Sequence, residues 1–229
     1  MVFRGSSLEE QRKARVNALI SEGILKTDRV IQAMLAVPRE KFLPERLHEF
    51  SYVDSPLPIC QGQTISAPHM VAIMNEALEL EPGNIVLEIG AGSGYHAATI
   101  AEIVAPRRGE RQGHVYTVEI IEELADFARR NLENAGYGNK VTVIHADGSE
   151  GYPRRAPYER ILVTAGAPQI PQPLIEQLKP GGILIIPVGG LYMFQSLKIA
   201  RKDEQGKLTV EDRGGCAFVL LRGKYGWKT

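Results

Sequence analysis

The hydrophobic rhythm of the chain changes near residue 84. Before that point, apolar residues at helical spacing predict helices between residues 8 and 36, divided at Gly23. Prolines in the next stretch predict loop and short turns over about 20 residues. Ser66-Ala67-Pro68 is typical of a helix start, and Pro82-Gly83 is expected to end that helix. The first third of the chain is therefore predicted to be helical and irregular.

From residue 84 onward, short apolar runs alternate with helical patterns. This alternation predicts an α/β fold with a parallel sheet that is covered by helices on both faces. The predicted strands are 85–89, 115–118, 141–144, 161–163 and 183–186, and the predicted helices are 95–104, 122–135 and 173–178, the last stopped by Pro180-Gly181-Gly182.

The last part of the chain has a different pattern, with residues 194–200, 208–210 and 217–221 predicted as antiparallel strands. The expected turns are Gln205-Gly206 and Gly214-Gly215. We expect one compact domain, in which residues 1–83 form a helical extension with a substrate loop and residues 84–229 form the α/β core.

Composition narrows the possible functions. The 229 residues include 27 basic and 27 acidic side chains and are 44% hydrophobic, which is typical of a globular protein and not of a nucleic-acid binder. No signal peptide or membrane helix is expected. The cysteines, Cys60 and Cys216, are too few for a disulfide framework and do not form a zinc motif, so we expect no metal and a cytoplasmic location.

A glycine-rich loop follows the first predicted parallel strand, at Gly90-Ala91-Gly92-Ser93-Gly94. Glycines there let the backbone turn sharply and approach a ligand. The dinucleotide fingerprint would require a further glycine where Tyr95 stands. Glu88, just before the loop, would repel a pyrophosphate and suits a cationic ligand. The loop is therefore predicted to bind something other than a dinucleotide.

Acidic residues follow the next two predicted strands, at Glu119 and at Asp147-Gly148. An acid at the end of the second strand of a nucleoside-binding fold takes the ribose hydroxyls. Glu119 lies 29 residues after Gly90, and the excess over the usual spacing fits a polar insert at 106–113, predicted as a surface loop. Because the carboxyl ends of parallel strands share one edge, these residues are expected to form one site.

This order of motifs resembles the S-adenosylmethionine-dependent methyltransferases. The resemblance implies Glu119 on the ribose, Asp147 and Gly148 near the adenine, and the loop of Gly90, Ala91, Gly92, Ser93 and Gly94, with Glu88, against the methionine part. A second string, Thr64-Ile65-Ser66-Ala67-Pro68-His69-Met70, closely resembles a motif of the protein-L-isoaspartate O-methyltransferases. The likeness extends over nearly the whole chain and includes Val37-Pro38-Arg39-Glu40.

The family resemblance implies a Rossmann-like sheet of about seven strands, S-adenosyl-L-methionine as cofactor, and methyl transfer to the α-carboxylate of isoaspartyl residues in damaged proteins. It also implies a catalytic Ser66 whose hydroxyl orients the carboxylate. From the sequence alone Ser66 is also expected to be the N-cap of the following helix, a role that is compatible with orienting a carboxylate. Thr64, Ile65, Val188 and Gly189 are predicted substrate contacts, and His69 and Thr164 are predicted cofactor contacts. We expect a monomer.

Three other functions fit parts of the pattern. A methyltransferase with another acceptor, such as a nucleobase, would be expected to carry an Asn/Asp-Pro-Pro-aromatic tetrapeptide where this chain has Thr164-Ala165-Gly166-Ala167. A nicotinamide oxidoreductase is disfavoured by Glu88 and by the absent third glycine. A nucleoside-sensing module without catalysis stays open.

Overall fold

The computed structural model describes residues 5–106, 111–191 and 194–228. The predicted insert at 106–113 includes residues 107–110, which lie outside the described residues. Within the described ranges, no helix is long and apolar enough to cross a membrane. The helices are α1 (Leu8–Ser21), α2 (Asp28–Ala36), α3 (Pro68–Ala77), α4 (Tyr95–Val104), α5 (Glu122–Ala135) and α6 (Gln172–Gln177).

The predicted α/β architecture is confirmed by a seven-stranded sheet. Its five parallel strands lie in the order β5-β4-β3-β6-β7, and β8 and β9 extend it antiparallel beyond β7. A separate two-stranded hairpin precedes α3. The hairpin strands are β1 (Leu57–Pro58) and β2 (Thr64–Ile65), and the sheet strands are β3 (Ile85–Ile89), β4 (His114–Glu119), β5 (Val141–His145), β6 (Tyr158–Val163), β7 (Leu178–Gly189), β8 (Gln195–Lys202) and β9 (Leu208–Cys216).

One large hydrophobic core joins the N-terminal helices to one face of the sheet. Val16 and Leu19 of α1, Met34 of α2 and Met74 of α3 are buried in the same cluster as Ile100 of α4. A smaller cluster on the other face of the sheet is built around Leu87, Tyr158 and Leu174. Burying both faces explains why the parallel strands are nearly continuous apolar runs.

The helix α3 ends earlier than its sequence predicts. It stops at Ala77, and Glu79 has a φ of 50°, so the backbone has left the helix before Pro82-Gly83. Arg160 of β6 donates hydrogen bonds to the carbonyls of Leu78 and Glu79. A guanidinium from the sheet thus satisfies the carbonyls that another helical turn would have used.

Two glycine pairs predicted as breaks lie inside strands. Strand β7 begins at Leu178 and runs through Pro180-Gly181-Gly182, because a bulge opposite β6 absorbs the extra residues. Gly214-Gly215 likewise lies in β9, where the register shifts against β8, so the predicted turn there is wrong.

The predicted strand at 217–221 is also wrong, because among the described residues this segment belongs to no strand and Leu220 forms only an isolated parallel bridge with Gly166. The side chain of Gln195 makes the pair of hydrogen bonds with this segment that a neighbouring strand would make. Its Nε2 donates to the Phe218 carbonyl at 2.9 Å, and its Oε1 accepts from the Phe218 N–H at 2.8 Å. This segment becomes a wall of the site described below.

Candidate active site

The glycine loop turns because three of its residues adopt left-handed backbone geometry. Gly90, Gly92 and Gly94 have φ of 95°, 53° and 86°. A side chain on Gly90 would also collide with the Thr164 hydroxyl, which lies 2.8 Å from the Gly90 carbonyl. The strand β3 therefore passes into α4 by a tight turn that leaves the loop backbone open to a ligand.

Glu119, at the end of β4, braces this loop. Its side chain is 6% exposed, and one carboxylate oxygen accepts from the Gly92 N–H at 3.1 Å. The other oxygen accepts from the Ile121 N–H at 3.1 Å. Each oxygen keeps a further lone pair for another donor. The geometry thus presents a carboxylate with spare acceptor capacity beside the glycine loop.

The opposite wall is the β1–β2 hairpin and the turn into α3. Pro58 pairs with Thr64 and Leu57 pairs with Ile65, so the hairpin positions Thr64 and Ser66 on either side of the buried Ile65. The N-cap of α3 is Ala67, and Ser66 makes no capping hydrogen bond, so the alternative interpretation of Ser66 as the N-cap is wrong. Proline at the first position of α3 shifts the cap by one residue.

These walls border one open cleft. It brings together most of the predicted site residues from five separate parts of the chain. Apolar residues complete it, among them Ile120, which is 37% exposed, and Val219, which is 36% exposed. The predicted residues that border the cleft are Thr64, Ile65, Ser66, Gly90, Ala91, Gly92, Ser93, Glu119, Gly148 and Thr164.

Six predicted residues do not border the cleft in this structure: His69, Glu88, Gly94, Asp147, Val188 and Gly189. His69 is turned to Asp54, whose carboxylate oxygen accepts from the His69 N–H at 2.9 Å and lies 3.0 Å from Nδ1. Arg15 of α1 lies 3.7 Å from the same carboxylate. This pairing ties the start of α3 to α1.

Asp147 is occupied by the C-terminal segment. Its Oδ1 accepts from the Ser149 N–H at 2.9 Å and from the Ser149 hydroxyl at 2.7 Å, and its Oδ2 accepts from the Lys224 N–H at 2.8 Å. Val188 and Gly189 lie at the end of β7, where Gly189 donates to the Ala167 carbonyl at 3.1 Å.

Glu88 is fully buried on β3. Its Oε2 accepts from the Thr117 hydroxyl, and its Oε1 has no hydrogen-bond partner among the described residues. Burial raises the pKa of Glu88 to about 8. The sequence alone showed an acid at a strand end but not this degree of burial.

Tyr95, the residue just after the glycine loop, is held by the N-terminal extension. The Arg39 guanidinium lies 5.1 Å from the centre of its ring, and the Phe42 ring meets it edge-on at 5.6 Å. Arg39 is fully buried, which lowers its pKa to about 10. The early loop that contains Val37 and Pro38 thus packs directly on the residue that ends the glycine loop.

Several bordering residues were missed by sequence reasoning. His96 borders the cleft from the first turn of α4, and residues 219–222 form a further wall of it. The helical pattern placed His96 in a helix but gave no sign that it borders a site. The sequence gives no sign of the wall at 219–222, because its pattern predicts an ordinary strand at 217–221.

Comparison with known proteins identifies the family of the chain. The sequence profile of the family described as Protein-L-isoaspartate(D-aspartate) O-methyltransferase matches residues 10–226. The chain is 57% identical over 221 residues to the Protein-L-isoaspartate O-methyltransferase of Hyperthermus butylicus, covering 96% of this chain and 91% of that protein. It is 56% identical over 217 residues to that of Methanopyrus kandleri, covering 95% and 93%.

Solved structures share the fold over the same range. A crystal structure described as a protein-L-isoaspartate O-methyltransferase from Plasmodium falciparum, in complex with S-adenosyl-L-homocysteine, matches with a TM-score of 0.81 and 27% identity, covering 92% of this chain and 98% of that one. A second structure, described as protein-L-isoaspartate O-methyltransferase, matches with a TM-score of 0.82 and 30% identity, covering 94% and 67%.

Proposed function

Because the chain belongs to the protein-L-isoaspartate(D-aspartate) O-methyltransferase family, we propose that it methylates the α-carboxylate of L-isoaspartyl residues in damaged proteins. The resulting methyl ester closes to a succinimide, which partly reopens to aspartate, so the reaction is a repair step. The observation that carries this proposal is that Thr64, Ser66 and the glycine loop border one cleft.

The residues of the cleft fit S-adenosyl-L-methionine, which supplies an activated methyl group and leaves as S-adenosyl-L-homocysteine. Glu119 has the spare lone pairs needed to accept two ribose hydroxyls while it braces Gly92 and Ile121. Gly90 has no side chain and a left-handed φ of 95°, which lets the loop backbone approach a ligand closely. Gly148 and Ile120 border the part of the cleft that would take the adenine.

Ser66 orients the substrate, and no general base is needed. An α-carboxyl group has a pKa of about 3.3–3.7, so it is ionised near neutral pH before it binds. Neither the Ser66 hydroxyl nor the Thr64 hydroxyl makes a hydrogen bond within the described part of the chain, so both are available to a carboxylate oxygen. Holding that oxygen in line with the sulfonium methyl group lowers the reaction barrier, by about 7–11 kcal/mol in well-oriented reactions.

The remaining assignments are also proposals. Val188 and Gly189 contact the substrate beyond the cleft, where both are half-buried, and His69 and Asp147 contact the cofactor. Residues 1–83 act as the substrate-side extension and residues 84–229 as the cofactor-binding core. The protein works as a monomer, without nucleic acid, in the cytoplasm. The zero net charge supports the absence of nucleic acid, and the two unpaired cysteines support the cytoplasmic location.

The experiment that tests the function is transfer of labelled methyl from S-adenosyl-L-methionine to a synthetic isoaspartyl peptide. Base-labile methyl ester on the peptide is the expected product. Bound cofactor without methyl transfer would instead indicate another acceptor or a sensing module, and binding of NAD in place of S-adenosyl-L-homocysteine would indicate an oxidoreductase.

A further inference from the structure

The first turn of α3 takes a hydrogen bond from outside the helix. Its N-cap residue, Ala67, has no polar side chain, and Pro68 at the next position has no N–H to satisfy. The N–H groups of Met70 and Val71 donate to the Ala67 carbonyl at 3.0 Å and 3.2 Å. The His69 N–H is left, and it needs an acceptor from another part of the chain.

Asp54 supplies that acceptor from 15 residues earlier in the chain. Its Oδ1 accepts from the His69 N–H at 2.9 Å and lies 3.0 Å from His69 Nδ1. Its Oδ2 lies 3.7 Å from the guanidinium of Arg15, which also donates to the Tyr52 carbonyl at 2.9 Å. A negative charge at this point complements the positive end of the helix dipole. Asp54 thus caps α3 in place of a residue at the start of the helix.

The same N–H is the donor that Ser66 would use as an N-cap. In a helix that began at Ser66, His69 would stand at the third helical position, and a serine N-cap accepts from the N–H at that position. Two acceptors therefore compete for one donor. Because Asp54 takes the donor, Ser66 lies one residue before the N-cap, and its hydroxyl makes no hydrogen bond among the described residues.

We propose that Asp54 is a positioning residue, which caps α3 so that the Ser66 hydroxyl stays free for the substrate carboxylate. This proposal rests on the proposed role of Ser66 and adds a residue that does not touch the substrate. Asp54 is not one of the residues that border the cleft in the described part of the chain, so its effect on methyl transfer passes through α3 and Ser66. Without Asp54, the His69 N–H draws the Ser66 hydroxyl into the capping position.

A double-mutant cycle in kcat tests the proposal with an isoaspartyl peptide as substrate. Asp54→Ala should lower kcat about tenfold or more, because the charged substrate oxygen loses its orienting hydrogen bond. Adding Ser66→Ala to Asp54→Ala should cost little more, whereas residues that act independently give losses that multiply to within about twofold. Asp54→Asn keeps an oxygen that can accept from the His69 N–H, so it should recover most of the loss. Calorimetric affinity for S-adenosyl-L-homocysteine should stay the same in these variants.

Ser7→Ala is the matched control. Ser7 caps α1 by accepting from the Glu10 N–H at 3.2 Å, so its loss also uncaps a helix, but one that lies outside the cleft. This variant should lower thermal stability and leave kcat unchanged. The proposal would be overturned by an unchanged kcat in Asp54→Ala, by losses that multiply in the cycle, or by an equal loss of kcat in Ser7→Ala.

If Asp54→Ala does not fold, NMR of the isosteric Asp54→Asn decides. The backbone amide proton signal of His69 should move in Asp54→Asn and much less in Ser66→Ala. An equal or larger movement in Ser66→Ala would show that Ser66 is the cap and would overturn the proposal. This comparison needs no substrate. An unaltered protein that methylates no isoaspartyl peptide would contradict the proposed function, and the His69 signal would still decide the role of Asp54.

Discussion

Replacing Glu119 tests how the cleft holds a nucleoside. In Glu119→Gln the side chain keeps its length, but the amide nitrogen cannot accept a hydrogen bond. One of the two braced N–H groups, of Gly92 or Ile121, then loses its acceptor. The variant also loses the negative charge that would strengthen hydrogen bonds from two ribose hydroxyls.

The expected magnitude follows from these contacts. A hydrogen bond to a charged group is worth about 1.5–3 kcal/mol, and a neutral one about half of that. Two weakened ribose contacts therefore cost about 1.5–3 kcal/mol, which is about tenfold to 150-fold in affinity. The N–H that loses its partner should lower the free energy of unfolding by about 1–3 kcal/mol.

Calorimetric titration with S-adenosyl-L-homocysteine and with its 2′-deoxy analogue measures this effect. Loss of the 2′-hydroxyl should weaken binding to the unaltered protein more than binding to Glu119→Gln, which isolates the contact. Glu122→Gln removes a nearby exposed carboxylate and serves as the control. A folded Glu119→Gln that binds S-adenosyl-L-homocysteine as tightly as the unaltered protein would refute the ribose assignment.

Other residues give equally definite expectations. Gly90→Ala should lower both thermal stability and cofactor affinity, because the new Cβ combines a left-handed φ of 95° with a collision against the Thr164 hydroxyl. The control Gly136→Ala, with a φ of 85° and open space, should cost only about 1–2 kcal/mol of stability. Equal losses of stability in the two variants would contradict this. Ser66→Ala should lower kcat with little change in cofactor affinity, and an unchanged kcat would exclude an orienting role. Burial raises the pKa of Glu88 from about 4.5 to about 8, so the folded chain keeps a proton that the unfolded chain releases between these pH values. Stability to urea should therefore fall as pH rises from about 4.5 to about 8, and Glu88→Gln should flatten that fall. Parallel pH curves for the two proteins would show that Glu88 does not cause the fall. Because no histidine base is used, the pH profile of kcat should lack a rise near pH 6.5. A rise there that disappears in His69→Gln would contradict this.

The sequence predicted those parts of the site that depend on local pattern. The bounds of β3, α4 and α5 are confirmed, because each is set by an apolar run and by glycines at positive φ, such as Gly94 before α4 and Gly136 after α5. The gathering of Gly90, Glu119 and Gly148 at one edge follows from parallel topology alone.

Long-range partners explain what the sequence could not show. Gln195 reaches Phe218 across 23 residues, and Arg160 ends α3 from 82 residues away. Asp147 is drawn toward Lys224 by the fold of the C-terminal segment. None of these contacts can be recognised from the periodicity of hydrophobic residues along the sequence.

Discrimination between isoaspartyl and aspartyl peptides tests the central claim most directly. An isoaspartyl residue carries its α-carboxylate on a shorter branch than the side-chain carboxylate of aspartate, and a displacement of about 1 Å can cost about a hundredfold in rate. With matched peptides that differ only in this linkage, kcat/KM for methyl transfer should be high for the isoaspartyl form and essentially zero for the aspartyl form. Comparable kcat/KM for the two peptides would contradict the account.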